Sequence, residues 1–198
     1  MLKPEKLVKK ARELDIVFAI TDHNTIGCHD RLRSLSYPFI PGEEIRTDKG
    51  DVVGLYLTEE IPKNSPFEET MDMIHEQGGL VYLPHMYDIR RKGIIPEGKQ
   101  TGKVDIVEVF NARCLRQEFN DNAKSFAEKN KILQAVGSDA HFLLEFGNNY
   151  AEMPDFDIKN PKELMKALKE AKLVTKRAPI CVRGPTEIIS IWKNLMKK

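Results

Sequence analysis

The chain reads as an α/β protein built on a largely parallel sheet or barrel, and three observations predict this. Short apolar runs such as IVFAI (16–20) and YPFIPG (37–42) alternate with amphipathic helical stretches, as expected of strands buried on both faces. Several runs stop abruptly at polar clusters rich in His, Asp and Glu. No internal repeat or low-complexity segment breaks the alternation.

The elements follow in order. Pro4 suits a helix's first turn, and Leu7, Ala11 and Leu14 recur at helical spacing through PEKLVKKARELD. IVFAI is a buried strand ending at TDHNT, and YPFIPG is a second. Residues 43–47 and 51–57 flank DKG, whose Asp48 and Gly50 suit a turn between short strands. A helix over 66–77 stops at Gly78-Gly79, and a strand over 80–83 ends at Pro84-His85. Residues 88–103, rich in glycine and basic residues, form a long surface loop. VDIVEVF (104–110) is a strand, 117–130 a helix, and ILQAVG (132–137) a strand ending at SDAH. Asn160-Pro161, with Glu163 placed for a capping box, starts a helix that runs to about Ala171. A short strand near 173–175 and a final helix from about Pro185 complete the chain.

A length of 198 residues argues for one domain over 1–198. Basic and acidic residues number 31 and 30, a net charge of +1. That balance disfavours a dedicated nucleic-acid binder. A small phosphorylated substrate, or a nucleotide or oligonucleotide end, needs only a few local cations and a metal. No run approaches the ~18 apolar residues of a membrane span, and no apolar signal segment opens the N-terminus, so the expected location is the cytoplasm. Cys28, Cys114 and Cys181 are far apart with no CxxC pair, which predicts reduced thiols rather than a disulfide framework or zinc ribbon.

Chemistry gathers at the strand ends. Asp22-His23 follow Ile20, Glu43-Glu44 follow Ile40, His85 follows Leu83, Asn111 follows Phe110, and Asp139 and His141 follow Val136. Barrel folds place reactive groups at strand C-termini, where residues remote in sequence converge. This mixture of imidazole and carboxylate suits Zn²⁺, Mn²⁺ or Fe²⁺. Strand alternation lets only one of Glu43 and Glu44 point inward. Arg90, Arg91 and Arg113 lie on loops after strands and are candidate phosphate clamps through their bidentate guanidinium forks; solvated loop charge is the plainer alternative. Asn111 could hold a substrate oxygen or a turn, and Asp51 reads as a turn aspartate rather than a further ligand. His29 and His75 read as surface or satisfied core residues within helices, Cys28 as a packed thiol and Trp192 as packing material.

TDHNT, IPGEEI, GGLVYLPH and VGSDAH resemble, in order, the motifs TDH, PGxE, GG…HP and GSDAH of the polymerase and histidinol phosphatase (PHP) family. The resemblance covers nearly the whole chain, and GSDAH…FG is its most specific part. It implies a distorted seven-stranded β/α barrel of TIM-like form and phosphoester hydrolysis by two or three divalent metals. It implies His23, Glu44, His85, Asp139 and His141 as metal ligands. Asp22 and Asp139 are the expected catalytic carboxylates, Asp22 by orienting an imidazole. Arg90, Arg91, Asn111 and Arg113 are the expected substrate contacts.

The sequence departs from the family pattern in two places. Met86 stands where the family often has Pro after the ligand His. Family members open with a strand ending in DLHxHT, whereas this sequence starts with the helix that follows that strand and contains no His-x-His. The expectation is therefore a barrel lacking its first strand, with exposed edges that a homodimer would cover. A catalytically inactive PHP-like domain acting as a binding or structural subunit, as in a ribonuclease P protein subunit with a related barrel, is the rival reading. The retained GSDAH and the near-zero net charge argue against it. Nucleoside monophosphates, histidinol phosphate and oligonucleotide ends all fit such a metal core, so loops such as 88–103 would choose the substrate.

Overall fold

Six strands hydrogen-bond in chain order to form one mixed sheet, with helices packed on both of its faces. The structure, a computed structural model, describes residues 2–179. The expected helix from Pro185, Cys181 and Trp192 lie outside the described residues. Helix α1 (Pro4–Leu14) carries Pro at its first turn and ends at Asp15, whose φ of 51° lets its N–H reach the carbonyls of Ala11 and Arg12. The sheet comprises β1 (Phe18–His23), β2 (Phe39–Arg46), β3 (Asp51–Leu55), β4 (Leu80–Leu83), β5 (Ile106–Asn111) and β6 (Leu133–Gly137). Between them run α2 (His29–Ser34), α3 (Phe67–Glu76) and α4 (Gln117–Asn130). A separate antiparallel ladder of β7 (Tyr150–Glu152) and β8 (Lys172–Val174) flanks α5 (Pro161–Lys169). The loop after β4 holds two short 3-10 turns, Ile89–Arg91 and Gly98–Lys103.

The sheet is not parallel throughout. β1 and β2 are parallel, as are β4, β5 and β6, but β3 is antiparallel to both of its neighbours. The reason is the turn at 47–50, where Thr47 Oγ1 donates to Gly50 O at 2.8 Å and accepts from Gly50 N at 3.2 Å. So short a connection makes a hairpin, since a parallel crossover needs a dozen or so residues. Among the described residues the strands form a curled half-barrel with β1 and β6 at its edges, in place of a closed barrel. Strand bounds move as well. β1 begins at Phe18 and runs on through the polar TDH, because residues 18–23 pair one by one with 39–44 of β2.

Alternation along each strand sorts side chains onto two faces. On the convex face Ile45, Val52, Val81 and Val107 meet Phe67, Met71 and Ile74 of α3 and Ala123 and Ala127 of α4. Each large side chain fully buried there contributes about 1.5–3 kcal/mol. On the concave face Ile40, Leu55, Leu80 and Ile106 form an apolar floor capped by Leu164 and Leu168 of α5. At the C-terminal ends of β1 and β2 the same concave face turns polar. In register there lie His23 opposite Glu44, and Asp51 opposite Arg46.

Candidate metal centre

Glu44 is the hub of the polar end. Its Oε2 lies 3.1 Å from His23 Nδ1, and its Oε1 lies 3.1 Å from His85 Nε2. Parallel pairing of β1 and β2 puts His23 and Glu44 on one face. Asn24, at φ 52°, fastens that junction: its N–H donates to Glu44 O at 2.9 Å, and its Oδ1 accepts from Arg46 N at 2.8 Å. Glu43 takes the other face, fully buried, where its Oε2 accepts from Ile61 N at 3.0 Å. Alternation thus separates two adjacent glutamates into two environments.

His85 follows β4 in a left-handed conformation, φ 33°, which is uncommon for a non-glycine residue. It is buried, and its Nδ1 has no hydrogen-bond partner among the described residues. One ligand atom from each of Glu44, Asp51 and His85 lies within 4.8 Å of the others. Asp51 is buried and also paired with Arg46, so it is more than a turn residue.

Asp139 and His141 approach from the loop after β6. Asp139, at φ 48°, accepts from Asn111 Nδ2 at 3.1 Å and is ion-paired with Arg91. His141 Nδ1 sits 2.9 Å from the Asp139 carbonyl oxygen. The curl of the sheet brings the His141 ring centroid to 6.4 Å from that of His23. Glu44 thus contacts His23 and His85, and His141 lies near His23. Among the described residues the one group of three whose ligand atoms all lie within 4.8 Å of one another is Glu44, Asp51 and His85, while Asp139 is held by Arg91 and Asn111.

Electrostatics prepare these groups for a cation. Burial pushes the Glu44 carboxyl up, but the His85 hydrogen bond and the charges of His23, His85 and Arg91 outweigh it and hold it down at about 2. Burial, followed by the charges of Arg113, Arg91 and His23, lowers the His141 imidazole to about 4. An ionised carboxylate beside a neutral imidazole is the donor chemistry of a borderline divalent ion. The unpartnered Nδ1 of His85 fits the same requirement.

The expected substrate contacts separate. Arg91 stands in the site, donating to Asn111 Oδ1 at 2.8 Å. Arg90 is exposed beside it. Arg113 is buried and gives two hydrogen bonds to Glu145, at 2.8 and 3.0 Å. Glu145 Oε2 in turn accepts from the His141 and Phe142 amides at 2.9 and 3.0 Å. Arg113 therefore braces the His141 turn, and its guanidinium faces away from solvent. Asp22 lies on the face opposite His23, and burial and then Asp22 push the Cys28 thiol up to about 12. No imidazole hydrogen bond to Asp22 is found among the described residues, so the orienting role expected of it is not seen. Asn24, Glu108 and Glu145 were not singled out from sequence. Only Glu108 carried a signal, as a lone charge inside the apolar run VDIVEVF.

The family model described as PHP_C, PHP-associated, matches residues 117–173. An uncharacterized protein of Methanocaldococcus jannaschii, MJ0417, is 42% identical over 170 residues, 82% of this chain and 69% of that protein. Among solved structures, a two-domain Bacteroides vulgatus protein containing a predicted PHP-like metal-dependent phosphoesterase aligns with a TM-score of 0.64 at 15% identity, over 89% of this chain and 62% of that one. Endonuclease Q, in complex with a 27-mer duplex bearing an abasic lesion at the active site, aligns with a TM-score of 0.57 at 14% identity, over 84% of this chain and 51% of that one. The chain thus spans less than two thirds of either solved structure, and these likenesses are of fold.

Proposed function

The chain belongs to the PHP family, and on that premise we propose that it is a metal-dependent phosphoesterase centred on His23, Glu44, His85, Asp139 and His141. What carries the reading is Glu44, which offers one carboxylate oxygen to each of two histidines, one at the end of β1 and one just after β4, both at 3.1 Å. In this reading the half-barrel is part of the family's distorted seven-stranded β/α barrel.

Divalent ions, when bound, supply Lewis acidity and bring the pKa of a coordinated water toward ~7. The chain's own residues do the rest. Glu44 and Asp139 provide anionic charge, and His141 provides a lone pair because its surroundings keep it neutral. Asp51, whose carboxylate is paired with Arg46, would be the further ligand beside Glu44 and His85. Arg91, steadied by Asn111 at 2.8 Å, neutralises charge on the phosphoryl oxygens as the ester breaks. Arg90 reaches the more distant part of the substrate. Small phosphorylated molecules and nucleotide or oligonucleotide ends remain the proposed substrates, and Zn²⁺, Mn²⁺ or Fe²⁺ the proposed metals.

The test is metal analysis of the purified chain together with turnover of p-nitrophenyl phosphate and bis-p-nitrophenyl phosphate in Mn²⁺. Metal content and turnover should both fall to background in Glu44→Gln and His85→Ala. A wild-type chain that takes up no metal and hydrolyses neither ester contradicts the reading.

A further inference from the structure

Beneath the ligands lies a carboxylate that the proposed chemistry leaves unused. Glu108, in the middle of β5, is only 4% exposed. Its Oε1 accepts from Tyr82 Oη at 3.0 Å. Its Oε2 accepts from the His85 backbone N–H at 2.7 Å and from Asn111 Nδ2 at 2.9 Å. Among the described residues three donors and no cation contact this buried carboxylate, whose oxygens would be costly to leave unpaired.

The donors are not arbitrary. His85 N belongs to the residue held at φ 33°, a conformation that persists only when its surroundings enforce it. A charge-assisted hydrogen bond to its own amide is such an enforcement. Asn111 Nδ2 also donates to Asp139 Oδ2 at 3.1 Å, so one carboxylate oxygen governs a ligand after β4 directly and a ligand after β6 through one side chain. The third strand is shaped to match. A Cβ on Gly137 would lie 1.7 Å from Glu108 Oε1, so the glycine two residues before Asp139 is there because the carboxylate fills its side-chain space.

We propose that Glu108 is a positioning residue of the metal centre, with Gly137 as its obligatory partner, setting the His85 turn and the Asn111–Asp139 contact from below. The proposal rests on the reading of His85 and Asp139 as ligands. Glu108 does not touch the ion or the substrate in this account. It acts by fixing the backbone from which His85 projects.

The test uses the full chain, stripped of metal, and the variants Glu108→Gln and Gly137→Ala. Gln keeps the size of the side chain but cannot accept from both the His85 amide and Asn111 at one oxygen with the same charge assistance. Two readouts are taken: hydrogen exchange of the His85 amide without metal, and Mn²⁺ affinity by calorimetry. In Glu108→Gln the His85 amide should exchange faster than in wild type, and Mn²⁺ affinity should fall about 10–100-fold, the usual cost of removing such an outer contact. Gly137→Ala, which crowds the same carboxylate from the other side, should move both readouts in the same direction and serves if Glu108→Gln does not fold. Unchanged His85 exchange, or unchanged Mn²⁺ affinity, in a folded variant overturns the proposal. Should the wild type bind no Mn²⁺, the metal reading fails by itself, while unchanged exchange at His85 would still overturn the Glu108 contact.

Discussion

Adjacent residues in this chain meet opposite fates, and Glu43 and Glu44 show it most clearly. Burial raises the Glu43 carboxyl, while the imidazoles and Arg91 hold Glu44 at about 2 despite burial. Glu43→Gln should therefore leave Mn²⁺ binding intact where Glu44→Gln abolishes it, as calorimetry on the two variants will read. Arg113 offers a second contrast. Because it is buried against Glu145, Arg113→Met should destabilise the fold by about 3–5 kcal/mol in urea unfolding, the cost of stranding a buried charge. A change in KM for a phosphoester with stability intact would instead restore Arg113 to the substrate.

His29 gives a pH signature. Its Nε2 lies 3.1 Å from Gly42 O, and burial lowers its pKa below the usual 6.5. The unfolded chain then takes up a proton that the folded chain refuses, so this contribution is complete above pH 6.5 and is lost as the pH falls toward the folded value. Urea midpoints measured across that range should fall less steeply in His29→Gln than in wild type. Identical slopes would remove His29 from the acid sensitivity.

At the scale of elements, what was legible depended on how local the cause is. The strand at 80–83 and the helix at 117–130 stand where periodicity and flanking glycines place them. So does the start of α5, because Asn160 Oδ1 accepts from Lys162 N at 3.0 Å and Pro161 follows it. The helix ends at Lys169 rather than near Ala171, and Glu163 accepts from Lys166 in place of closing a capping box. Asn160→Ala should cost about 1 kcal/mol by urea unfolding; no loss would mean that packing alone starts the helix. The extension of β1 to His23 was hidden, since pairing with β2 outweighs the polarity of TDH. The antiparallel β3 was half legible: DKG announced a hairpin, yet the helix–strand alternation suggested a parallel sheet. The three-residue β7 was too short to read. Among site residues, motif positions were visible, whereas Glu145 and the contacts of Glu108 were not, because the donors Tyr82, His85 and Arg113 lie far from them in sequence.

At the scale of the molecule, the sheet has two ends, β1 and β6, neither paired outward among the described residues. Unpaired edges invite pairing, which leads us to propose that two copies associate through one of them. Light scattering should show the apparent mass rising toward a dimer with concentration, and a monomer at all concentrations would contradict this. No helix among the described residues is long and apolar enough to cross a membrane. The same curl that leaves the edges open brings Glu44 against His23 and His85 and sets the His141 ring near that of His23. The most direct measurement is anomalous X-ray diffraction from crystals of the full chain grown with Mn²⁺. An anomalous peak is expected within bonding distance of Glu44 and His85. Fully occupied Mn²⁺ bound elsewhere, with these side chains still contacting only one another, would contradict it.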